Sequence, residues 1–576
     1  MPSIPEPAPN LARALFRPRT VALIGASDDP AKNTGRPQRY LARHGFAGSV
    51  VPVNARRDRV QEIPAHRTLA AVPGVIRDCA EKGVSVATIY SDGFAESGAD
   101  GADHQREIVD IAVAGGVRLI GPNSMGVISP ANRLALSVNA VLEMEQLAPG
   151  RIGVVSQSGT ILGTLISRGA ARGIGFSHMI SVGNECDLGV GEIVDLLVDD
   201  SETDAVALFL EGIRDAESLG AAARRAHEAG KPVIAYKLGR SAAGRQLAVS
   251  HSGAIAGGDR SVDAYFRHYG ILRADMLETL FEMPALVAGH RPGKGRRVSV
   301  VTTTGGGAAT VADRLGALGL DLVGPGEALR QRLSGLGVDL GGGPLVDLTM
   351  AGTRKEVYAA ALETLLAGDD CDAVVAVVGS SGQSHPELAV APIVEADPGA
   401  KFLAAFIAPE APDSLRRLTT AGKACFRTPE ACADAVRAAP PDIGALLREN
   451  AADERGASRV FAALGVEQAH SVVLPSADDP VPADLPYPVA VVGAGGVLAE
   501  VYGDVAVRLA PVDAATARDM IEAVKGLAPL RGYRGAPKGD LDALARAVAA
   551  IRPSPRPRST RCWCAGKARG LSPSTG

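Results

Sequence analysis

The sequence of 576 residues is poor in cysteine, in aromatic side chains and in long apolar runs. No apolar run reaches the roughly 18 residues that cross a bilayer, and the start, MPSIPEPAPNLARALFRPRT, lacks the apolar centre of a signal peptide. These absences predict a protein of the cytoplasm that has no membrane partner. Most of the seven cysteines lie far apart, which indicates reduced thiols and not a disulfide framework: Cys79, Cys186, Cys371, Cys425 and Cys432.

The sequence also lacks a recognisable metal motif and a nucleic-acid-binding charge pattern. Cys562 and Cys564 are too isolated for a zinc site, which needs four ligands, and none of the ten histidines is paired at ligand spacing. No metal site is therefore predicted. The formal net charge is −4, and residues 552–576 hold six Lys/Arg without an acidic residue, so the remainder is acidic. A chain with this balance has no electrostatic footprint for nucleic acid.

Short β-rich runs alternate with helical stretches along most of the chain. This β-α-β alternation predicts an α/β fold with doubly wound, mostly parallel sheets. The first series has predicted strands at 20–24, 49–53, 84–90 and 117–120. The second has them at 151–156, 205–210 and 232–237, and the third at 297–302, 373–378 and 401–405.

Changes in composition divide the chain into five predicted segments. Residues 289–295 have the composition of a linker, and 438–441 close the third series. A helix at 458–465 and a strand at 470–474 are predicted to open a fourth unit. From Arg552 the sequence loses periodicity of either kind, which is typical of disorder. The predicted segments are 1–145, 146–290, 294–441, 452–551 and a basic disordered tail at 552–576.

In each of the first three units a turn of small residues follows the first strand and is predicted to open a helix. Backbone N–H groups at such a turn, together with the helix dipole, form an anion site. One such turn alone is equally well explained as a tight turn, but three at strand ends favour phosphate binding. The turns are Gly25-Ala26-Ser27, Gln157-Ser158-Gly159-Thr160 and Thr302-Thr303-Thr304-Gly305-Gly306-Gly307.

The first turn does not fit a nicotinamide cofactor. Gly25 is followed by Ala26-Ser27-Asp28, so the G-x-G-x-x-G spacing is absent. The second strand ends at Asn54, where such a cofactor needs Asp or Glu for its ribose. A nicotinamide-dependent dehydrogenase is therefore disfavoured, and another adenine-containing ligand with phosphates remains open.

One histidine has a sequence context typical of a loop. His251 lies between two serines and before Gly253-Ala254, which fits the middle of neither a helix nor a strand. On a loop, an imidazole can act as a nucleophile or carry a proton. The alternative is a surface histidine that makes a hydrogen bond and performs no chemistry.

The motifs LIGAS, PVN, LIGPN, VSQSG, LEG and SHSGA, in this order, resemble the NDP-forming acyl-CoA synthetases, relatives of succinyl-CoA synthetase. That family fuses a CoA-binding Rossmann-like domain, two flavodoxin-like ligase domains and an ATP-grasp domain, and the resemblance covers about residues 14–550. By this resemblance, His251 matches the histidine that is phosphorylated during turnover. Glu211 matches the acidic residue that holds and orients that histidine.

The resemblance also implies binding residues, substrates and partners. The turns at Gln157, Ser158 and Gly159 and at Thr304, Gly305, Gly306 and Gly307 match two helix N-termini that face each other across the phosphohistidine. The implied reaction joins a small carboxylic acid to CoA with ATP, giving ADP, with help from Mg²⁺. The implied assembly is a homo-oligomer or a pairing with a separate ATP-grasp subunit. The residues that match the CoA site are Gly25, Ala26, Ser27, Asn54, Pro122 and Asn123.

The chain departs from its family at two places. Between Asn54 and Val84 the family has a further strand, whereas residues 67–74 here run directly into the next helix, which predicts a sheet with one strand fewer. Directly after 486–490, residues 491–500 resemble a segment that is much later in the ATP-grasp domain. That domain is therefore predicted to be incomplete, with an impaired ATP half-reaction. A catalytically dead regulatory protein that binds CoA or acyl-CoA is the alternative.

Overall fold

The structure is a computed structural model. It describes residues 9–66, 72–241, 243–244, 259–288, 295–399, 401–438, 489–493, 505–509, 512–524, 527, 540–550 and 561–562. The described residues fall into two compact units. The larger unit lies within Met1–Leu238, Gln246–Ala254 and Ile271–Pro440, and the smaller one within Gly239–Arg245, Ile255–Gly270 and Pro441–Gly576. The predicted helix at 458–465, the predicted strand at 470–474 and His251 lie outside the described residues.

The N-terminal part of the larger unit alternates short strands with helices. Glycine ends the long helix α4, because Gly116 adopts the left-handed conformation, with φ of 68°, that terminates many helices. The helices are α1 (Pro9–Phe16), α2 (Arg36–Arg43), α3 (Val72–Glu81) and α4 (Ala99–Gly115). The strands are β1 (Thr20–Ile24), β2 (Ser49–Val53), β3 (Arg59–Val60), β4 (Ile63–Pro64), β5 (Val86–Thr88), β6 (Arg118–Ile120), β7 (Gly126–Ser129) and β8 (Leu134–Ser137).

The N-terminal strands form separate pairs and not one sheet. Strand β1 pairs in parallel with β2, and β5 pairs in parallel with β6, but no strand among the described residues joins β1 to β5. Ile24, at the end of β1, is 45% exposed and lies on the same exposed face of the strand as Thr20 and Ala22. The sequence of residues 67–74, which leads directly into the next helix, predicts a sheet with one strand fewer than the family pattern.

The second part of the larger unit is built on a seven-stranded sheet with the order β13-β12-β11-β9-β10-β7-β8. Its strands are parallel from β13 to β10, whereas β7 and β8 run antiparallel at one edge. Strands from within the predicted first segment thus complete the sheet of the second. The further elements are β9 (Ile152–Ser156), α5 (Gly159–Ala170), β10 (Met179–Ser181), α6 (Val190–Asp199), β11 (Ala205–Leu210), α7 (Ala216–Glu228), β12 (Val233–Lys237), and, after the smaller unit's α8 (Asp259–Tyr269), β13 (Leu272–Arg273), α9 (Thr279–Glu282) and α10 (Pro284–Val287).

The third part is a parallel sheet with the order β15-β14-β17-β18-β19, in which β16 also pairs with β14. Its central strands are apolar along their whole length because helices cover both faces. The elements are β14 (Arg297–Thr302), α11 (Gly305–Ala317), β15 (Asp321–Leu322), α12 (Glu327–Ser334), β16 (Leu345–Asp347), α13 (Lys355–Ala367), β17 (Ala373–Val378), α14 (Ser381–Ser384), α15 (Pro386–Glu395), β18 (Phe402–Ile407), α16 (Pro412–Thr420), β19 (Ala424–Phe426) and α17 (Pro429–Ala438).

The second and third parts share one hydrophobic core. Ile234 and Leu280 from the second part belong to the same buried cluster as Phe426 and Cys432 from the third. The α/β fold with parallel sheets is confirmed. Among the described residues, no helix is long and apolar enough to cross a membrane.

The smaller unit contains a three-stranded sheet with the order β21-β20-β22 and a small core of its own. Strand β22 lies within the tail that the sequence predicts to be disordered. The backbone of its two residues pairs in parallel with Val491 and Val492. The elements, besides α8, are β20 (Val489–Gly493), β21 (Val505–Leu509), α18 (Ala514–Ala523), α19 (Leu541–Ala549) and β22 (Arg561–Cys562).

Candidate active site

The turn between β9 and α5 is held by the hydroxyl of Ser156, the last residue of the strand. Ser156 Oγ donates to the carbonyl oxygen of Ser158 at 2.7 Å and accepts from the Ser158 N–H at 3.2 Å. Both residues are buried. Ser158, the N-cap of α5, is thereby fixed at the carboxyl end of a parallel strand.

The turn between β14 and α11 has the same construction. Thr302 Oγ1 donates to the carbonyl oxygen of Thr304 at 3.0 Å and accepts from the Thr304 N–H at 2.8 Å. Thr302 is the last residue of its strand, and Thr304 is the N-cap of α11. Two sheets of the larger unit thus present the same strand-to-helix turn.

Both helices leave their first amide groups available to a ligand. Serine and threonine at an N-cap usually accept a hydrogen bond from the second or third amide of the helix, but Ser158 and Thr304 make no such bond. The first helical bonds are those from Leu162 to Ser158 and from Ala308 to Thr304. The preceding amides, in Gly159–Ile161 and Gly305–Gly307, find no acceptor in the described part of the chain. Such helix ends are anion sites.

Gln157 directs its side chain away from this turn and into the protein. Its Oε1 accepts from the backbone N–H groups of Glu211 and Gly212, the latter at 3.0 Å. Its Nε2 donates to the carbonyl oxygen of Gly212 at 2.9 Å and to the carboxylate of Glu185. The side-chain amide of Gln157 therefore joins the Ser158 turn to Glu211. The predicted site residues Gln157 and Glu211 are thus in direct contact.

The buried side chain of Lys237 contacts the backbone of Glu211. Lys237 Nζ donates to the carbonyl oxygen of Glu211 at 2.8 Å and to that of Leu238 at 2.5 Å. Lys237 ends β12, and both Lys237 and Glu211 are about 5% exposed or less. The ammonium group thus ties the ends of two adjacent strands together, just before the segment that contains His251.

Glu185 was not predicted as a site residue, yet its carboxylate reaches the same cluster. Its side chain is 5% exposed, accepts from the Val190 N–H at 3.0 Å and lies 3.7 Å from Arg214 Nε. Burial raises the pKa of this carboxyl group above its usual range, although Val190, Arg214 and Gln157 oppose the rise. The backbone of Glu185 is left-handed, with φ of 53°. The positive φ of Glu185 is the signal that indicates a role for this residue, and a backbone angle cannot be read from the sequence.

The first small-residue turn differs from the other two. The N–H groups of Gly25 and Ala26 both donate to Val53 O, and that of Ser27 donates to Thr34 O. Helix α2 begins only at Arg36, because residues 28–35 fold back over the turn. The prediction that this turn opens a helix and offers its amides to an anion is therefore wrong.

The other predicted CoA residues lie at two places in the larger unit. Asn54 Nδ2 donates to Ala26 O at 2.8 Å, so β1 and β2 bring these two residues together. Pro122 follows a cis peptide bond and Asn123 has φ of 56°. Pro122 O accepts from the Asn184 N–H at 2.9 Å, which places the Pro122 loop against the loop that contains Glu185.

Comparisons with known proteins identify the domains that contain these residues. Residues 19–130 match a CoA binding domain, residues 149–287 match the succinyl-CoA ligase like flavodoxin domain, and residues 431–552 match an ATP-grasp domain. The chain is 31% identical to the alpha subunit of an ADP-forming acetate–CoA ligase II of Pyrococcus furiosus, over 68% of this chain and 89% of the relative.

The chain is also similar to a longer relative and to a solved structure. A trans-feruloyl-CoA synthase from an unidentified prokaryote is 30% identical over 63% of this chain, which spans only 54% of that relative. A solved structure of a dinucleotide forming acetyl-coenzyme A synthetase 1 from Candidatus Korarchaeum cryptofilum, in complex with phosphate and ADP, has a TM-score of 0.65 and 27% identity. That similarity covers 78% of this chain and 98% of the solved chain.

Proposed function

This chain belongs to the family of ADP-forming acyl-CoA ligases that are related to succinyl-CoA ligase, and we propose that it joins a small carboxylic acid to CoA through a phosphohistidine at His251. The observation that carries this proposal is the pair of uncapped helix N-termini at Ser158 and Thr304. A phosphorylated side chain bears close to two negative charges at neutral pH. Two helix ends that offer free amides supply the matching partial positive charges.

In the proposed reaction, a ring nitrogen of His251 attacks the γ-phosphorus of ATP and ADP leaves. A carboxylate oxygen of the acid then attacks the phosphorus, the N–P bond breaks, and an acyl phosphate forms. Finally the CoA sulfur attacks the acyl carbon, the C–O bond to phosphate breaks, and the thiol proton passes to phosphate or solvent. Positioning and fixed dipoles supply most of the catalysis in such phosphoryl transfers.

The proposed roles of this chain's residues rest on the family resemblance, and the contacts of the described residues support them. Glu211 holds and orients the His251 imidazole, while Gln157 and Lys237 fix the Glu211 backbone through its N–H and its carbonyl oxygen. The free amides after Ser158 and Thr304 bind the phosphoryl oxygens. Gly25, Ala26, Ser27, Asn54, Pro122 and Asn123 remain the proposed positions of the CoA site.

The nucleotide half of the reaction is proposed to depend on a separate ATP-grasp subunit. The chain spans most of an alpha subunit of an acetate–CoA ligase but about half of a single-chain relative. Homo-oligomers of the chain, in the cytoplasm, are compatible with this pairing. The described residues contain no group of three or more His, Cys, Asp or Glu that could hold a metal ion, so we assign no residue to Mg²⁺ and derive no step through it.

The test uses the acyl side of the reaction, which requires no nucleotide. The purified chain is incubated with labelled inorganic phosphate and a panel of acyl-CoA thioesters, namely acetyl-, branched-chain and cinnamoyl-type thioesters, and protein-bound label is measured. The wild type is expected to gain acid-labile label with at least one thioester, and His251→Ala none.

Addition of ADP, with and without a separate ATP-grasp subunit, then reports on the nucleotide half. Loss of label to ADP only when the subunit is present would support the proposed pairing. If the wild type binds CoA in calorimetry but takes up no label from any thioester, the ligase proposal is wrong and the regulatory binding protein remains.

A further inference from the structure

The loop of residues 182–188 contacts both the Pro122 loop and the Ser158 turn. Its backbone follows the Pro122 loop, since the N–H of Asn184 donates to Pro122 O at 2.9 Å and that of Cys186 to Gly121 O at 3.1 Å. The Asn184 side chain donates to Gln105 Oε1 at 3.0 Å and to the carboxylate of Glu96. This side of the loop therefore belongs to the proposed CoA-binding region.

Glu185, the next residue, faces the opposite way. Its carboxylate accepts from Gln157 Nε2 and from the Val190 N–H, inside the second part of the larger unit. The residue combines a buried charge with a left-handed backbone, and both features are unfavourable for glutamate. Glycine or asparagine would fit this backbone with less strain, so the side chain itself accounts for the presence of glutamate.

The Glu185 carboxylate is the side chain that supports the orientation of the Gln157 amide, together with the backbone groups of Glu211 and Gly212. A carboxylate only accepts hydrogen bonds, so the NH₂ group of Gln157 must face it, together with the carbonyl oxygen of Gly212. The oxygen of Gln157 is then left to accept from the N–H groups of Glu211 and Gly212. With the opposite orientation, donors would face donors at one end and acceptors would face acceptors at the other.

We propose that Glu185 is a positioning residue for phosphoryl transfer: it orients Gln157, which in turn fixes the Ser158 turn relative to the backbone of Glu211. This inference rests on the proposed function, since it concerns the same histidine and the same acyl-side reaction. It assigns a role to a residue that touches no substrate. Two consecutive residues then connect the Pro122 loop to the proposed phosphate site: Asn184 contacts the Pro122 loop and Glu185 contacts Gln157.

The first test is a double-mutant cycle on His251 labelling from phosphate and acyl-CoA. Glu185→Gln and Gln157→Ala are each expected to raise the phosphate concentration for half-maximal labelling about ten-fold, with less than a two-fold change for acyl-CoA. The first removes a charged acceptor from Gln157 and the second leaves the N–H groups of Glu211 and Gly212 without their acceptor, so both loosen the Ser158 turn. If Glu185 acts through Gln157, the double variant behaves like Gln157→Ala alone. Effects that multiply in the double variant would overturn the proposal.

A charge exchange provides the second test. Gln157→Glu alone places two carboxylates against each other and is expected to abolish labelling at low phosphate. Combining it with Glu185→Gln restores one donor and one acceptor between the two side chains, so part of the labelling returns. Failure of the exchange to recover any labelling, in a variant whose circular dichroism is that of the wild type, would contradict the proposal.

Asp187→Asn is the matched control, since it changes another carboxylate of the same loop. Asp187 binds Arg118 and accepts from the Leu119 N–H at 2.7 Å, without touching Gln157. Its replacement is expected to lower thermal stability and leave the phosphate dependence unchanged. A wild type that takes up no label defeats the proposed function itself, whereas a labelled wild type with an unaffected Glu185→Gln variant defeats only this inference.

Discussion

The hydroxyls of Ser156 and Thr302 make the same two hydrogen bonds at the ends of two different sheets. Each donates to the carbonyl oxygen and accepts from the N–H of the residue two positions later in the chain. Each thereby holds an N-cap residue whose own hydroxyl leaves the helix uncapped. The two turns are equivalent in structure, and the family resemblance is the reason for assigning both to one phosphoryl group.

Removing the Thr302 hydroxyl with Thr302→Val keeps the shape of the side chain but leaves the partly buried Thr304 N–H without its acceptor. An unpaired buried group costs about 1–3 kcal/mol, so labelling of His251 at low phosphate is expected to fall by about ten-fold or more. Ser156→Ala is expected to act in the same direction. Ser299→Ala is the control, because it removes a buried hydroxyl from the same strand, 3.2 Å from Val323 O, away from the turn. Equal losses of labelling in Thr302→Val and Ser299→Ala would show that the turn has no special role.

Gly306 and Gly316 lie on the same helix, and a methyl group added at either one meets no atom within 4 Å. Alanine at each position is expected to stabilise the chain by up to about 1 kcal/mol, because glycine is a poor helix former. Only Gly306→Ala adds its methyl group in the first helical turn, beside the free amides, so only this variant is expected to lose labelling. The measurements are unfolding in urea and the phosphate dependence of labelling. A Gly306→Ala variant with unchanged labelling would contradict the anion site at Thr304.

Substitutions of Leu23 and Ile24, which lie on opposite faces of β1, are expected to change stability by different amounts. Leu23 is 6% exposed, whereas Ile24 is 45% exposed. Leu23→Ala is expected to lower the free energy of unfolding by about 2–4 kcal/mol, and Ile24→Ser by less than about 0.5 kcal/mol. Chemical denaturation measures both. A large loss for Ile24→Ser would mean that the face of β1 that carries Ile24 is covered.

Asp200 gives the chain a predictable response to acid. Burial raises the pKa of its carboxyl group, but hydrogen bonds from His178 and Thr203 outweigh burial and lower the pKa below its usual value. Ionised Asp200 therefore stabilises the folded chain fully above the pKa that its carboxyl group has in the unfolded chain, about 3.9. This stabilisation is lost as the pH falls through the lower pKa of the same group in the folded chain. Asp200→Asn is expected to reduce stability at pH 7 and to flatten the loss of stability below about pH 4. Parallel stability curves for the two proteins would contradict this role.

Continuous apolar runs allowed most central strands to be predicted from the sequence. The bounds of β1, β11, β14 and β17 agree with the prediction, because each run is closed by a polar or small residue. Helix α11 begins at Gly305, inside the predicted small-residue turn, since three glycines at a helix start look like a turn. Strand β5 is shorter than predicted, consistent with its single partner.

The side-chain connections of the site could not be predicted in the same way. Gln157 contacts Glu185 and the backbone of Glu211, and Lys237 contacts the backbone of Glu211, because all four residues follow or end parallel strands at their carboxyl ends in one sheet. Nothing in the spacing of these residues indicates that arrangement. The antiparallel strands β7 and β8 were missed for a related reason, because β7 joins the sheet through β10, some 50 residues later in the chain, and β8 joins it through β7.

The most direct test of the account is the location of the phosphoryl group. After incubation with phosphate and a reactive acyl-CoA, the chain is digested under alkaline conditions, which preserve phosphohistidine, and the peptides are analysed by mass spectrometry. The account predicts phosphate on His251 in the wild type, and much less in the Ser156→Ala/Thr302→Val double variant. Phosphate on another residue, or on none while the acyl-CoA is consumed, would contradict it.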